Sequence, residues 1–583
     1  MERRVILAFV LALIVLVLPS ILFPPKRAQR PTGGQAGDTS AREAVPAPPS
    51  PAAPVAELRT ACSPARLSGA APETVLVSSR AYRFAFSTVG AQLLRVELLD
   101  YKSFAPADSG RPVQLVPESR PLLTHCLVVG ADTVSLADWT FTPSALALTV
   151  ATDSVPLTFT AQRGGARVTL EYVFYPTEYR VQVRGRVAGL GPAGAVLLVG
   201  LGDGLRSVEA DTMDDFHHFA VVTKAAKTQG IPFASLKPVS VKLLDGPFEW
   251  VAVKSKYFLV AALAFEEGQP RFGGGIAIGG PTAVTASSFL GGRSPVATRT
   301  ALALTLPVPP AGDFRYQLYA GPLEYRRLAQ LGHDLVDANP YGGFLSGMIQ
   351  PVSILVVNIL IWMHDRLDLA YGWVLVIFGV LVRALLWPLN QKAMESSLRM
   401  QAVAPLIKET QDRYKGEPER LQREMVKVYK DHKVNPLGGC LPMLLPMPVL
   451  FALFFVFQNT IEFRGVPFFW LPDLSLKDPF YIMPIFMGIS MFVLSWIAMR
   501  AAPPNPQTKM MSYMMPAVMT LVLLNFASGL NLYYAVQNLA ALPQQWLLTR
   551  ERMKSGPGAS TGGTRGAARG NVTRSARAAA VER

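Results

Sequence analysis

The chain has 583 residues, of which 50% are hydrophobic and 17% charged, and its mean hydropathy is +0.27. This composition is too apolar for a soluble protein of that length and predicts membrane spans. The formal net charge is +15. In a membrane protein such an excess first indicates cytoplasmic loops rich in Lys and Arg beside anionic lipids, and only secondarily nucleic acid. The three cysteines form no Cys-x-x-Cys motif, so redox or zinc chemistry is not indicated.

The N-terminus carries two arginines, and an unbroken apolar stretch follows from Val5 to Phe23. Such a stretch spans the bilayer, and its positive flank keeps the N-terminus in the cytoplasm. Pro24 and Pro25 stand where signal peptidase requires small residues, so we expect a retained anchor over residues 1–24, with a cleaved signal peptide as the alternative. The Pro- and Ala-rich segment 25–70 is predicted to be a disordered linker.

Residues 71–325 contain short runs rich in Val, Leu, Phe, Tyr and Thr, separated by Gly and Pro. Alternation of apolar and polar residues, as in Arg180 to Arg186, indicates β-strands. We therefore predict one large all-β sandwich outside the cytoplasm. Cys62 and Cys126 would both be exported and a disulfide between them is open, although Cys62 lies in the linker.

The pattern becomes helical in 326–371, and five apolar segments follow within 372–548. The stretch from Ile349 to Leu369 is interrupted by polar residues, so it either spans the membrane or lies in the outer interface. The interface is favoured, because an additional span would place the basic loop 390–434 outside the cytoplasm. The fold class expected is mixed: a helical membrane core of five spans, an N-terminal signal anchor and the exported sandwich. Both termini and the basic loop 390–434 are then cytoplasmic, as the positive-inside rule requires.

The loop 390–434 has two apolar stripes separated by Gly416 and Pro418. This arrangement predicts a helical hairpin that projects into the cytoplasm. The segment 549–583 is basic, with no apolar periodicity in its Gly- and Ala-rich part, and is predicted to be a disordered tail. The hairpin and the arginines of the tail would meet the ribosome or targeting factors, with binding of the tail to the lipid surface as the alternative.

Arg383 is the residue most difficult to explain structurally, because a central arginine costs about 2.5–3.5 kcal/mol to insert. The other predicted spans contain no acidic residue, so an ion pair within the membrane is not expected. Either Arg383 faces a hydrophilic cavity, or it snorkels to the inner surface. Polar residues of the last two spans favour the cavity: Asn525, Ser528, Asn531, Tyr533, Tyr534 and Gln537.

The run from Asn435 to Leu441 (NPLGGCL), followed by Pro442, resembles the third span of the YidC/Oxa/Alb family of membrane protein insertases. Segments similar to that family also surround Arg383 (VRALLWPL) and Tyr534 (SGLNLYY), and FSTVGAQLLRVELLDYK and YAGPLEY resemble the exported domain of its long Gram-negative members. The resemblance covers nearly the whole chain except the linker and the tail.

The resemblance implies an inner-membrane insertase or chaperone for nascent membrane proteins, with a groove around Arg383 and a substrate contact at Tyr534. Family members often carry Thr where Gly379 stands, and some carry an aromatic residue where Asn525 stands. Those two groove contacts are therefore open. Implied partners are nascent membrane proteins, components of the Sec translocon, the ribosome or targeting factors, and membrane lipids, with no specific nucleic-acid sequence.

Two other classes of protein are alternatives to this interpretation. A transporter is disfavoured, because the late spans contain no internal repeat. A sandwich enzyme would use His217 and His218 near Asp214 and Asp215, but adjacent histidines on a strand would point to opposite faces. We expect no enzyme activity, metal or cofactor, since the sequence has no Walker loop and no Rossmann glycine pattern.

Overall fold

The computed structural model describes residues 73–555, except 119, 191–193, 265–267, 269, 281–282, 288–292, 340, 342–345, 415, 433–446 and 501–505. All of these described residues belong to one compact unit. The predicted anchor (1–24), the linker (25–70), Cys62, the NPLGGCL motif with Pro442, and the tail beyond residue 555 lie outside the described residues.

The first half of the described chain is built from short strands, whose bounds in chain order are as follows. They are β1 Thr74–Ser78, β2 Tyr82–Ser87, β3 Leu93–Lys102, β4 Pro112–Gln114, β5 Thr124–Val129, β6 Asp132–Ser135, β7 Thr142–Pro143, β8 Ala147–Thr149, β9 Val155–Arg163, β10 Ala166–Phe174, β11 Arg180–Ala188, β12 Ala195–Gly200, β13 Ala220–Lys224, β14 Thr228–Pro232, β15 Val241–Phe248, β16 Trp250–Lys254, β17 Phe258–Leu263, β18 Phe272–Gly279, β19 Ala283–Ser287, β20 Arg293–Ala297, β21 Thr300–Val308 and β22 Asp313–Pro322.

These strands form a nine-stranded sheet (β14-β13-β16-β17-β22-β11-β10-β9-β7), a six-stranded sheet (β15-β18-β21-β12-β5-β6), a five-stranded sheet (β4-β3-β2-β1-β8) and the β19–β20 pair. The nine-stranded sheet packs on both of the other large sheets. Phe86 of β2 contacts Tyr172 of β10 at 4.9 Å between ring centroids, and His125 Nε2 of β5 lies 2.8 Å from the Tyr316 hydroxyl of β22. The predicted sandwich is therefore confirmed; we call residues 74–322 the β domain.

Alternation and full burial place the core of the β domain. On β10, Val168, Leu170 and Tyr172 are fully buried while Thr169 and Glu171 are partly exposed, because successive side chains of a strand point to opposite faces. All residues of β16 and β17 are buried, as expected for central strands covered on both faces. One charged side chain, Lys254, is carried into this buried region at the end of β16.

The β domain also contains the short α-helix α1 (Thr212–His218), capped by the Asp211 carboxylate, which accepts hydrogen bonds from two backbone amides. This corrects the expectation that His217 and His218 lie on a strand. The Asp211 cap and the acidic first turn favour a helix here. Cys126 is disulfide-bonded; the two other cysteines lie outside the described residues.

The second half of the chain is helical, and we call residues 325–555 the helical core. Its helices are α2 Tyr325–Leu331, α3 Ser346–Leu367, α4 Tyr371–Leu385, α5 Trp387–Arg413, α6 Pro418–Asp431, α7 Met447–Asn459, α8 Ile482–Met499, α9 Pro506–Leu523 and α10 Ser528–Ser555. Helix α10 packs on α4 and α8, and α7 packs on α3. The predicted helices of the loop 390–434 are present as α5 and α6.

Two helices among the described residues, α3 and α8, are long and apolar enough to cross a bilayer, and α4 together with parts of α7 and α9 forms shorter apolar helices. The number of spans and the placement of α3 in or across the membrane stay predictions. We expected the disordered tail to begin at residue 549. Helix α10 instead extends to Ser555, so the segment 549–555 is helical. The Thr549 hydroxyl donates to the Ile497 carbonyl at 3.4 Å, which fixes this end of α10 against α8.

Candidate functional site around Arg383

Arg383 lies in the last turn of α4, where its side chain is half-buried. Its Nη2 donates a hydrogen bond to Gln544 Oε1 at 3.0 Å, while its Nε is buried without a partner among the described residues. Within the described part of the chain no carboxylate acts on the guanidinium. The charge is therefore held by a neutral amide, which leaves part of its hydrogen-bonding capacity for another acceptor.

Gln544 of α10 is the partner of Arg383, and it is only 2% exposed. Its Nε2 also donates to the Trp387 carbonyl at 3.2 Å. Trp387 begins α5 immediately after α4 ends. One buried amide thus fixes both the guanidinium and the junction between two helices.

Gln537 forms a second link between α10 and α4, two helical turns before Gln544. Its Nε2 donates to the Gly379 carbonyl at 2.8 Å and to the Tyr533 hydroxyl at 3.1 Å. The positions 533, 537 and 544 recur at spacings of four and seven, which places them on one face of a helix. That face of α10 lies against α4 and defines what we call the Arg383 site.

Gly379 lies where α4 and α10 approach closely. A Cβ atom at this position would stand 2.9 Å from Val536 Cγ1 and 3.4 Å from Val536 Cβ. Any larger residue therefore requires Val536 to move. The absence of a side chain at 379 allows the close contact that brings Gln537 to the Gly379 carbonyl.

The aromatic residues of the site differ in accessibility. Tyr533 is buried, with its ring centroid 6.2 Å from that of Phe378. Tyr534 is half-buried and lies 6.3 Å from Tyr533 between ring centroids. Of the two tyrosines, Tyr534 is the one that offers surface to an incoming molecule.

Three predicted site residues lie at the other end of α10. The Ser528 hydroxyl donates to the Asp473 carbonyl at 3.0 Å, Asn531 Nδ2 donates to the Leu523 carbonyl at 3.1 Å, and Asn525 is exposed. Sixteen positions separate Ser528 from Gln544, which corresponds to about 24 Å along an α-helix. The structure therefore divides the predicted set: Gly379, Tyr533, Tyr534 and Gln537 accompany Arg383, whereas Asn525, Ser528 and Asn531 belong to the opposite end.

Gln544 is the residue that sequence reasoning missed. The sequence indicated that Arg383 either faces a hydrophilic cavity or reaches the inner membrane surface. In the structure a neutral side chain of another helix accepts a hydrogen bond from it. The signal was present, because Gln544 follows Gln537 by seven positions and so shares its helix face.

The polar cluster around His217 and His218 makes its contacts with other residues of the β domain. His218 Nδ1 lies 2.8 Å from the Asp214 carbonyl oxygen, Lys256 Nζ lies 2.7 Å from Asp214 Oδ2, and the buried Asp215 carboxylate accepts from the Ser207 hydroxyl at 2.6 Å. Among the described residues no group of three His, Cys, Asp or Glu side chains is arranged to hold a metal ion. Each carboxylate here thus has a structural partner.

Two family models match the chain: the 60Kd inner membrane protein over residues 362–555 and the YidC periplasmic domain over residues 74–355. A relative from Bordetella petrii, named membrane protein insertase YidC, is 30% identical, with 92% of this chain and 93% of the relative aligned. The chain belongs to the YidC family. The relative of the same name from Syntrophus aciditrophicus is 28% identical, over 94% of this chain and 100% of that protein.

Among solved structures, an active YidC insertase with its first transmembrane domain resolved is similar at 17% identity, with a TM-score of 0.33 and coverage of 85% of this chain and 98% of that one. The two family models divide the chain much as the structure does. The YidC periplasmic-domain match contains all 22 strands of the described residues and reaches into α3, and the inner-membrane match contains α4 to α10.

Proposed function

We propose that this chain is a membrane protein insertase of the bacterial inner membrane that assists insertion, folding and assembly of integral membrane proteins and lipoproteins. Family membership supports the activity, and the Arg383 site supports the mechanism. The observation that carries it is a half-buried guanidinium with an amide partner and, within the ranges that the structure describes, no carboxylate partner. Such a cation attracts an anionic group and lowers the cost of its removal from water.

In this mechanism the short polar outer segment of a substrate enters beside Arg383, and its acidic residues pair transiently with the guanidinium. The apolar helix that follows moves into lipid along the exposed apolar side chains of α4 and α9. Among them are Val380, Leu381 and Leu385 on α4 and Leu521 and Val522 on α9, each between 47% and 78% exposed. Burial of apolar surface, at about 25 cal/mol per Å², drives the step, so no nucleotide or covalent chemistry is required.

The cytoplasmic side offers the other proposed contacts. Helix α6 has no buried residue, and its charges form exposed pairs such as Arg423 with Glu419 at 3.4 Å. Such a surface remains free for the ribosome or targeting factors, and the predicted basic tail for these or for lipid. We also propose that the chain works alone or with the Sec translocon. Site-specific crosslinking from α6 to ribosomal proteins tests the first of these contacts.

The decisive experiment depletes the protein in cells and follows a small inner-membrane substrate with one acidic residue in its outer segment, complemented by variants. Arg383→Lys should retain insertion and Arg383→Ala should lose most of it. A substrate with a neutral segment should depend less on the charge. Arg366→Ala, which removes an exposed arginine near the end of α3, is the matched control and should behave as wild type.

Two outcomes would contradict the proposal at different levels. Normal insertion of all tested substrates after depletion argues against the insertase function. Normal insertion of acidic substrates by Arg383→Ala argues against the electrostatic role, while leaving the function in place.

A further inference from the structure

A cavity of about 720 Å³ lies where the β domain meets the helical core. Its walls come from the β13–β14 hairpin, the end of β16, the segment 334–339, the first turn of α3 and the last turns of α7. None of its lining residues belongs to the Arg383 site. The cavity is thus separate from the Arg383 site, and it lies where α3 begins and α7 ends.

Among the charged residues that line the cavity, lysines outnumber carboxylates by three to two. Lys224, Lys227 and Lys254 contribute to the walls together with His217 and His218, against the carboxylates of Asp334 and Asp337. Asp334 Oδ2 lies 2.5 Å from Lys224 Nζ, so these two charges offset each other. Asp337 keeps its negative charge, although its Oδ1 accepts a hydrogen bond from Gln350 Nε2 at 2.7 Å. Lys227 and Lys254 therefore leave the cavity with an excess of one positive charge.

Lys254 is the unusual member, because it is only 7% exposed. Its Nζ donates to Asn339 Oδ1 at 2.6 Å, and Asp215, the carboxylate among the described residues that attracts it, forms no ion pair with it. Asn339 Nδ2 in turn donates to the Asn459 carbonyl at 2.8 Å, which ties this group to the end of α7. A buried ammonium normally requires an ionic partner, since burial of an unpaired charge is costly. Burial lowers the pKa of Lys254 to about 8, so the group keeps much of its charge at neutral pH.

The other wall of the cavity belongs to the apolar helices. Phe455 and Gln458 of α7 and Gln350 of α3 line it, and α3 presents Met348 and Leu355 outward at 60% and 59% exposure. An apolar helix surface beside a cationic recess is the arrangement found at the boundary between acyl chains and headgroups.

We propose that this cavity binds the phosphate of an anionic phospholipid headgroup from the outer leaflet, with Lys254 and Lys227 as its cationic contacts. The acyl chains then lie along the exposed surface of α3. The bound lipid fills the recess between the β domain and the helical core. This site does not depend on the function proposed for Arg383.

The test uses the purified full-length protein in detergent and follows its thermal unfolding midpoint during titration with dihexanoyl phosphatidylglycerol, dihexanoyl phosphatidylcholine or inorganic phosphate. We expect phosphatidylglycerol to raise the midpoint with saturation. Lys254→Met and Lys227→Gln should each weaken the apparent affinity at least threefold. Lys242→Gln, which alters an exposed lysine of β15 away from the cavity, should leave it unchanged.

Lys227 is exposed, so Lys227→Gln tests the proposal even if Lys254→Met does not fold. An equal shift with phosphatidylcholine would overturn the charge recognition. An equal shift with inorganic phosphate would overturn the assignment to lipid. Retention of wild-type affinity by Lys227→Gln and by any folded Lys254→Met would overturn the location.

Discussion

Arg464 and Glu209, 255 positions apart in the chain, form a buried ion pair that joins the loop after α7 to the β domain. Arg464 Nε lies 2.9 Å from Glu209 Oε1 and 3.0 Å from Oε2, and the two side chains are 3% and 8% exposed. The guanidinium also donates to the Lys102 carbonyl at 2.8 Å and lies 4.2 Å from the centroid of the Phe104 ring. This contact, together with that between Asn339 and Asn459, fixes the β domain on the helical core.

Removal of Arg464 should destabilise the folded chain strongly, because Glu209 would remain buried without its cation. Loss of one partner of a buried pair costs about 3–5 kcal/mol. We expect Arg464→Ala to lower the thermal unfolding midpoint of the purified protein and to expose the loop after α7 to protease. Differential scanning fluorimetry and limited proteolysis measure both effects.

The matched control is the ion pair of Arg186 and Asp313, whose side chains are 69% and 51% exposed. Arg186 Nε lies 2.6 Å from Asp313 Oδ1. An exposed ion pair contributes about 0–1 kcal/mol. Arg186→Ala should therefore leave the midpoint nearly unchanged. Equal effects of the two substitutions would show that burial of the Arg464 pair is not important.

Glu462, just after α7, makes the stability of the chain depend on pH. Its side-chain oxygens are buried without a hydrogen-bond partner among the described residues, and burial raises the pKa of Glu462 to about 7, with Glu324 adding to the rise. Between pH 4.5 and 7 the folded state holds a proton that the unfolded chain has released. Stability therefore falls as pH rises through this range, at about 1.4 kcal/mol per unit of pKa difference.

Glu462→Gln removes this titration, since the amide stays neutral at all pH values. The variant should match the wild type near pH 4.5 and exceed it in thermal midpoint at pH 8. Glu419→Gln, which alters an exposed carboxylate of α6, is the control and should show no such pH-dependent gain. A variant less stable than the wild type at pH 8 would mean that the charged form of Glu462 is stabilising.

Gly379 and Val536 should behave as a coupled pair. Gly379→Thr introduces the residue expected at this position from the resemblance to the family. Its Cβ would stand 2.9 Å from Val536 Cγ1. Overpacking of this kind costs about 1–3 kcal/mol. Val536→Ala removes the obstructing methyl groups, so the double variant should be more stable than the sum of the two single changes by about 0.5–3 kcal/mol. Additive unfolding free energies would show that the contact is relieved elsewhere.

The sequence predicted those parts of the fold that depend on local periodicity. Alternation in Arg180 to Arg186 indicated a strand, which β11 matches. The apolar stripes around Gly416 and Pro418 indicated two helices, which α5 and α6 match. The pairing of the strands could not be predicted from the sequence. For example, β22 lies between β17 and β11, and such non-local neighbours are selected by packing and not by local pattern.

Prediction of the site was limited for the same reason. Arg383 was evident because one charge in an apolar run is costly, and Gln537 was found as a polar residue in the last span. Sequence alone did not separate Gln537, which reaches Gly379, from Ser528, which binds the loop at Asp473. The distinction depends on which end of α10 faces Arg383, and that follows from helix packing.

Gln544 should be a positioning residue for Arg383, and two substitutions distinguish this role from general packing. Gln544→Leu removes the acceptor for Arg383 Nη2 and the donor to the Trp387 carbonyl. A hydrogen bond to a charged group contributes about 1.5–3 kcal/mol, so insertion of an acidic substrate should fall roughly tenfold. Gln544→Glu keeps an acceptor but places a carboxylate beside the guanidinium. It should stabilise the fold yet impair acidic substrates more than neutral ones, because the pair reduces the charge available to substrate.

Asn538→Leu is the control, because it removes a hydrogen bond of the same helix, to Ser490 at 3.0 Å, outside the Arg383 site. Insertion by each variant, measured with acidic and neutral substrates in the depletion strain, gives the comparison. Gln544→Glu with wild-type insertion of both substrates would show that Gln544 only holds α10 against α4. In that case the charge at Arg383 would not be what the substrate recognises, because a neutralised guanidinium would serve as well as a free one.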